Sequence, residues 1–595
     1  MDSAPVQPSA TDDFARTAIT RLHAWLTGAV PEAIDLRTVC WLVLSLAFSA
    51  YYANQGLHQA FRSPFVVQDD ARQHVFWMQR FLDPQLFPHD LIADYFQTVA
   101  PSGYSLFYNL MAHLGLEPLL LNKLLPMLLG FITTLYSFGV CLRILPVPGA
   151  AFLGTLILNQ SLWMQDDLVS ATPRAFVYPL FLAFLYYLLK DARLACLVVI
   201  ALQGLVYPSI MFVTAGVLVL RLVSIETKRL RFSRSRRDYL FCAAGLGVVL
   251  CVGLLYAYKL RDIGPVISAA DARTLPEYLP GGRTGFFGYD FWRFWVTRKT
   301  SGLLPDPLLS SVPLYGALLL PLLMYYRRVF PLAQKFTKAI NVLPRIIAAS
   351  LFMFAVAFVV LFKLYFPNRY TQYTLRIVLA LAAGFAIAII LDALLDWASR
   401  RHPRAFARQT IAGILTATVV AMLVIYPRFV AGFPNTKYRT GHASEVYEFF
   451  SRQPKDALVA SLSEEAKNIP TFAKRPILVA REFAFAYHMR YYAQIQERAT
   501  DLIVAHYSPD LSVVQSFIRK YGIAFVLVER EAFKAKFLAR DSWLQQYQPA
   551  TGEALEQLKR DTTPALARAM SACSVFENED FVVLSAERIL NMTGD

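Results

Sequence analysis

Cysteine is scarce and scattered. Five of the six (Cys40, Cys141, Cys196, Cys242 and Cys251) fall within apolar runs, Cys573 stands alone in the polar C-terminal part, and no CxxC pair occurs. A disulfide within the C-terminal part and a cysteine-based zinc site are thereby excluded. Charge is scarce as well, at 17% of residues. No G-x-S-x-G, HExxH, P-loop or dinucleotide fingerprint is present, so hydrolase and ATPase chemistry have nothing to stand on. No internal repeat or low-complexity tract is visible, which argues against a transporter built from inverted halves. The polar N-terminal stretch lacks the basic, apolar and small-residue order of a cleaved signal, so the first apolar run is expected to stay as an anchor.

Apolar residues fill the rest. They make up 56% of the 595 residues, and the mean hydropathy of +0.40 marks a polytopic helical membrane protein. Apolar runs near 38–54, 119–142, 149–164, 174–189, 239–258, 308–326, 346–366, 376–396 and 409–427 suit membrane spans. The run 194–223 is too long for one span and carries Tyr207-Pro208 near its middle, where proline removes a backbone donor.

The net charge of +15 sits mostly in short basic loops, at 228–237, 327–345 and 400–408. Such loops set topology and meet anionic lipid, and they do not point to nucleic acid. All three fall on the cytoplasmic side only if 194–223 folds back at Tyr207-Pro208 as two short arms. The sum is about eleven membrane segments. The expected plan is a cytoplasmic segment 1–37, a membrane domain 38–428 with external loops 55–103 and 259–307, and an extracytoplasmic C-terminal domain 429–595. In that last part the short runs 457–460, 477–480, 525–528 and 581–584 alternate with helical periods at 485–505 and 510–521, which predicts a small α/β domain with a partly parallel sheet.

Two acid pairs lie just past outer span ends. In the first loop, a helix over 69–83 would place Asp70, His74, Trp77 and Phe81 on one stripe and Asp69, Gln73, Phe76 and Arg80 on the next, a pattern that suits a helix lying in the membrane interface. The aspartates then serve either as an N-cap or as catalytic carboxylates. Asp166-Asp167, with Arg174 opening the next span, reads either as an acid–base pair at a membrane boundary or as a second acidic site for Mg or Mn or for an acceptor hydroxyl. Lys363, Arg369, Tyr370 and Arg376 crowd a late external loop, where the cations either hold a lipid phosphate or snorkel to the membrane surface. The glycine-rich stretch 280–289 has no phosphate-loop spacing and reads as a flexible turn. The segments 468–475 and 480–488 read either as loops that cap the site or as plain strand-to-helix turns.

The acidic motif Asp69-Asp70 after the first span, the many spans with long external loops, the segment Pro367-Asn368-Arg369-Tyr370 and the external α/β part together resemble the GT-C superfamily of integral-membrane glycosyltransferases. The resemblance implies a polyprenyl-phosphate-linked sugar donor and transfer, with inversion, to a lipid, glycan or protein acceptor on the external face of a bacterial inner membrane. It implies Asp69 or Asp70 as general base, and the residues expected around the substrates are His74, Arg174, Lys363, Arg369, Tyr370 and Arg376; the sequence requires no cofactor, and a divalent metal at Asp166 and Asp167 stays open. The oligosaccharyltransferase branch carries a Trp-Trp-Asp motif, and no Trp-Trp pair occurs here. En bloc N-glycosylation is therefore not expected. The alternatives are a lipid or polysaccharide carrier, which would place ionisable groups mid-span, and a non-catalytic scaffold of the same fold.

Overall fold

The computed structural model describes residues 10–30, 35–226, 229–305, 311–400, 402, 404–560 and 562–593. Residues 1–9 and 31–34 of the N-terminal segment, Lys228 and Arg401 of the basic loops, Pro403 and the stretch 306–310 lie outside the described residues.

Every apolar run is helical. Among the described residues six helices are long and apolar enough to cross a membrane: Leu36–Ala60, Pro118–Ile144, Arg236–Leu260, Lys338–Val359, Pro367–Ser399 and Ala405–Phe429. Pro148–Trp163, Pro173–Leu189, Arg193–Val206, Pro208–Arg221 and Val312–Tyr325 are shorter. The expected eleven segments are thus present as helices, and six of them have the length of a full crossing. An apolar run reports burial whether lipid or protein supplies it, and all sixteen residues of Pro148–Trp163 are buried by protein. Capping fixes the starts. The Asp35 carboxylate accepts from the Thr38 amide at 2.8 Å, and Glu117 accepts from the Leu120 amide at 2.7 Å ahead of Pro118.

The fold-back at Tyr207-Pro208 is real. Tyr207 leaves helical geometry at φ −146° and ψ 84°, and Pro208 opens the second arm. The Thr214 hydroxyl donates to Gln203 Oε1 at 2.8 Å, and Arg221 reaches Asp191 at 2.9 Å. In a continuous helix those residues would be far apart, so the arms run antiparallel.

Pro148–Trp163 sits at the centre against Leu36–Ala60, Pro118–Ile144 and Gln372–Ser399. Its contact with the last depends on glycine. A Cβ on Gly384 would lie 2.2 Å from the Gly154 amide nitrogen, so only glycine lets the two backbones touch. At the far end of Gln372–Ser399 the helix Ala10–Thr27 docks, with His23 Nε2 2.8 Å from Asp392 Oδ1.

After residue 430 a four-stranded sheet forms in the order Leu458–Ala460, Ile523–Glu529, Phe581–Ser585, Ser574–Glu577. The first pair is parallel and the others antiparallel, as the alternation of strands and helices predicts in part. The expected strand at 477–480 is reduced to one bridge, Val459 with Ile477, and the edge strand Ser574–Glu577 is additional. Strand Tyr438–Thr440 pairs antiparallel with Val66–Gln68, which ties the C-terminal part to the chain immediately before Asp69.

Candidate functional site

Strand Val66–Gln68 delivers the first acid pair to one set of helix ends. The Asp69 amide donates to Lys437 O at 3.1 Å, and the Gln68 side chain accepts the Asp70 amide at 2.8 Å. The chain then turns into a short helix, Ala71–His74, followed by the tight turns of Phe76–Phe81. The long interfacial helix expected over 69–83 is absent. Phe76, Trp77 and Met78 are fully buried, with Phe76 5.5 Å from Phe483 of the C-terminal part, so protein covers the aromatic stripe that lipid was expected to cover.

Asp70 is the N-cap of Ala71–His74 by its backbone only, since its carboxylate makes no capping bond. The carboxylate points instead at Arg174 Nη2, 2.6 Å away. Arg174 lies in the single turn Pro173–Phe176 and also reaches Asp166 Oδ2 at 2.8 Å and Asp167 Oδ1 at 3.4 Å. Asp167 Oδ2 in turn accepts from Arg376 Nη1 at 3.0 Å and from the Tyr178 hydroxyl at 3.0 Å. Arg376 Nη1 also lies 2.6 Å from the Tyr178 oxygen. Asp70, Asp166 and Asp167, far apart in sequence, thus meet at the Arg174 guanidinium, and Arg376 brings the late helix in through Asp167.

Asp69 takes no part in that contact. It pairs with Arg72 and with Arg439 Nε at 3.4 Å, while Arg72 extends to Asn468 Oδ1 at 3.2 Å and toward Glu482 at 3.7 Å. Both segments flagged as caps therefore reach the first loop. Glu482 also accepts from Gln73 and lies 3.7 Å from Arg283 of the glycine-rich turn. That turn docks by Arg283 Nε to Arg481 O at 3.1 Å, with Gly281 at φ +91° and Gly285 at φ +50°, a left-handed backbone that favours glycine.

Arg369 is an unbalanced charge. Its Nη1 donates to the Tyr373 hydroxyl at 2.7 Å, its guanidinium lies 5.7 Å from the Tyr365 ring centre, and its buried Nε has no hydrogen-bond partner. No carboxylate pairs with it among the described residues. Of its sequence neighbours, Tyr370 spends its hydroxyl on Leu364 O at 2.8 Å and Lys363 is exposed, so neither joins the cluster.

Enclosure by protein pushes the Asp70 carboxyl above its ordinary value, Arg174 pulls it back, and Asp166, Asp69 and Glu482 push it up further. Asp166 goes the other way, because Arg174 and Lys299 outweigh its burial. His74, buried and close to Arg174, Arg283 and Arg369, is lowered to about 4. It is a neutral imidazole at pH 7.

Among the described residues no group of three or more His, Cys, Asp and Glu is placed to hold a metal ion. The oxygens of Asp166 and Asp167, expected as metal ligands, turn to Arg174, Arg376 and Tyr178 instead of a common point. A guanidinium supplies the positive charge among these carboxylates. Tyr178 and Tyr373 were missed in the sequence, although each stands four residues beyond an arginine of the cluster, on the same helical face. Arg283 and Glu482 lie in segments that the sequence marked as a flexible turn and a candidate cap, without marking these two side chains.

The arrangement of helices is similar to that of a solved archaeal membrane oligosaccharyltransferase. The archaeal oligosaccharyltransferase AglB from Archaeoglobus fulgidus, solved with an inhibitory peptide and a dolichol-phosphate, superposes with a TM-score of 0.51 at 12% identity, over 87% of this chain and 72% of that one. The apo crystal structure of the Archaeoglobus fulgidus oligosaccharyltransferase gives 0.49 at 13% identity, over 86% and 72%. At such identities the likeness is one of fold. No protein-family model and no curated protein matches the sequence.

Proposed function

We propose that this chain is a membrane glycosyltransferase that moves a sugar from a polyprenyl-phosphate-linked donor to an acceptor hydroxyl of a lipid, glycan or protein on the external face of a bacterial inner membrane. The observation that carries the reading is the Asp70 carboxylate, released from capping and held 2.6 Å from Arg174 with 31% of its side chain still open. A carboxylate that is partly desolvated, fixed in direction and reachable is a competent base. The cluster lies at the helix ends opposite the basic loops, and the positive-inside rule for those loops supports an external site. The N-terminus is then inside and the part after residue 430 outside.

In the proposed reaction Asp70 takes the acceptor O–H proton as that oxygen bonds to the anomeric carbon. The bond from that carbon to the donor phosphate oxygen breaks, and the polyprenyl phosphate departs with the electron pair. Inversion follows from a single displacement. Arg369, lacking a carboxylate of its own, meets the charge that grows on the leaving phosphate, and Tyr373 holds it in place. Neutral His74 is suited to accept a hydrogen bond from a sugar or acceptor hydroxyl. No step is routed through a metal. A carrier would instead line a mid-membrane path with ionisable side chains, and nothing in the cluster at the helix ends favours that reading.

The test uses purified protein, a panel of polyprenyl-phosphate sugars and a measurement of sugar release. Asp70→Asn is expected to lower turnover by about 10²–10⁴-fold, and Asp69→Asn to leave most of it. Full turnover by Asp70→Asn would overturn the assignment.

A further inference from the structure

The water-facing part of the molecule is well covered. Between residue 431 and the C-terminus, Val504 is the sole large hydrophobic side chain that stands exposed among the described residues. The loop 259–307 departs from this sharply. Around the π-helical turn Arg293–Thr297, Phe291 is 74% exposed, Trp292 64% and Trp295 40%, three large aromatic side chains within five residues. An exposed aromatic cluster of this density on an otherwise covered surface marks a contact that the isolated chain does not make.

Its position identifies the contact. Trp295 packs at 4.8 Å and Phe294 at 6.0 Å between ring centres against Phe358, in the last turn of the membrane-length helix ending at Val359. That helix itself exposes Phe352 and Val359, the surface it turns to lipid. The aromatic patch is continuous with that lipid-facing surface and begins where the span ends. Arg293 and Lys299, both exposed, flank it with the charge that suits phosphate headgroups. Tryptophan beside cations at a span end is the composition of a membrane–water interface.

We propose that Phe291, Trp292 and Trp295 insert into the headgroup layer of the membrane next to the outer end of the Lys338–Val359 helix, and that this anchors the loop 259–307 to the bilayer. The loop's other attachment is to the site. Asn368, beside Arg369, donates to Lys299 O, and Arg283 reaches Glu482 from the far side of the same loop. The loop is then held at one edge by lipid and at the other by the residues around Asp70 and Arg369. The proposal concerns the membrane contact and stands whether or not the catalytic reading does.

A nitroxide placed by Trp292→Cys, in a protein whose exposed Cys40 and Cys251 are changed to Ser, reports the depth in nanodiscs of phosphatidylethanolamine and phosphatidylglycerol. The aqueous reference is Glu531→Cys, exposed in the C-terminal part. The expected result is a severalfold lower collision rate with an aqueous nickel chelate at 292 than at 531, together with a higher rate with oxygen. Equal nickel accessibility at the two positions overturns the proposal. So does spin–spin broadening at 292 that disappears on dilution with unlabelled protein, which would assign the patch to a second copy. Quenching of native tryptophan by brominated lipid, compared with the Trp292→Phe/Trp295→Phe protein, checks the result without a label. A lipid-quenched component lost in that variant supports insertion, and unchanged quenching overturns it.

Discussion

Asp70 and Arg174 depend on each other, and each half of the pair carries a separate prediction. As the proposed base, Asp70 would act only when ionised, and its carboxyl lies above the ordinary range because of its enclosure. Activity should therefore rise with pH through a limb placed above the usual aspartate value of about 3.9, as read from kcat/KM against pH. His74, lowered to about 4, is neutral through the whole physiological window, so His74→Gln should leave the position of that limb unchanged whatever it does to KM. Replacing Arg174 by Leu leaves Asp70, Asp166 and Asp167 crowded without their shared counter-charge. A loss of about 3–5 kcal/mol is expected, since removal of one partner from a buried ion pair strands the other. A melting curve in detergent checks it, and adding Asp166→Asn should return part of the loss. The acid pairs themselves were legible in the sequence, and so were Arg174, Arg369 and Arg376. Which aspartate faces the cluster was not, because the choice depends on Arg72 and Arg439 capturing Asp69, one of them about 370 residues away.

Elements were read well where hydropathy decides and poorly where partners decide. The ten apolar runs and the break at Tyr207-Pro208 follow from composition and from proline's missing donor, both local properties. The stretch 69–83 shows the limit. Its aromatic period is the same whether lipid or the C-terminal part covers it, and here Phe483 does so. The strand expected at 477–480 failed for the same kind of reason, as its β-branched run makes one bridge and then bends into the segment that carries Glu482. The contact between Pro148–Trp163 and Gln372–Ser399 gives a prediction at this scale. These two helices present Asp166-Asp167 and Arg376 to each other across the Gly154–Gly384 approach. Gly384→Val has no room without pushing the backbones apart, so it should cost about 1–3 kcal/mol and lower turnover as well, although the residue lies well inside the helix and away from the cluster. Gly413→Ala, whose nearest neighbour would be Ile19 Cδ1 at 3.7 Å, is the tolerated control for the melting temperature.

The whole molecule is polarised. Basic residues gather at one set of helix ends, and the acid–arginine cluster, the glycine-rich turn and the part after residue 430 gather at the other. In intact cells an impermeant thiol reagent should modify Glu531→Cys and spare Lys335→Cys, and the reverse pattern would invert the proposed topology. The two arms of the fold-back set a depth within this plan. Each has fourteen residues, about 21 Å of helix, against a hydrocarbon core of about 30 Å. An arm that starts at the basic face therefore ends short of the opposite one, and its tip, Tyr207, lies 3.4 Å from the Tyr373 hydroxyl that holds Arg369. On the proposed function, the floor of the site would be sunk below the membrane surface, and a lipid-borne phosphate would arrive sideways without being lifted into water. Bilayer thickness would then set how far that phosphate must sink, and turnover in the proposed reaction should vary with acyl-chain length, a control that no side chain supplies.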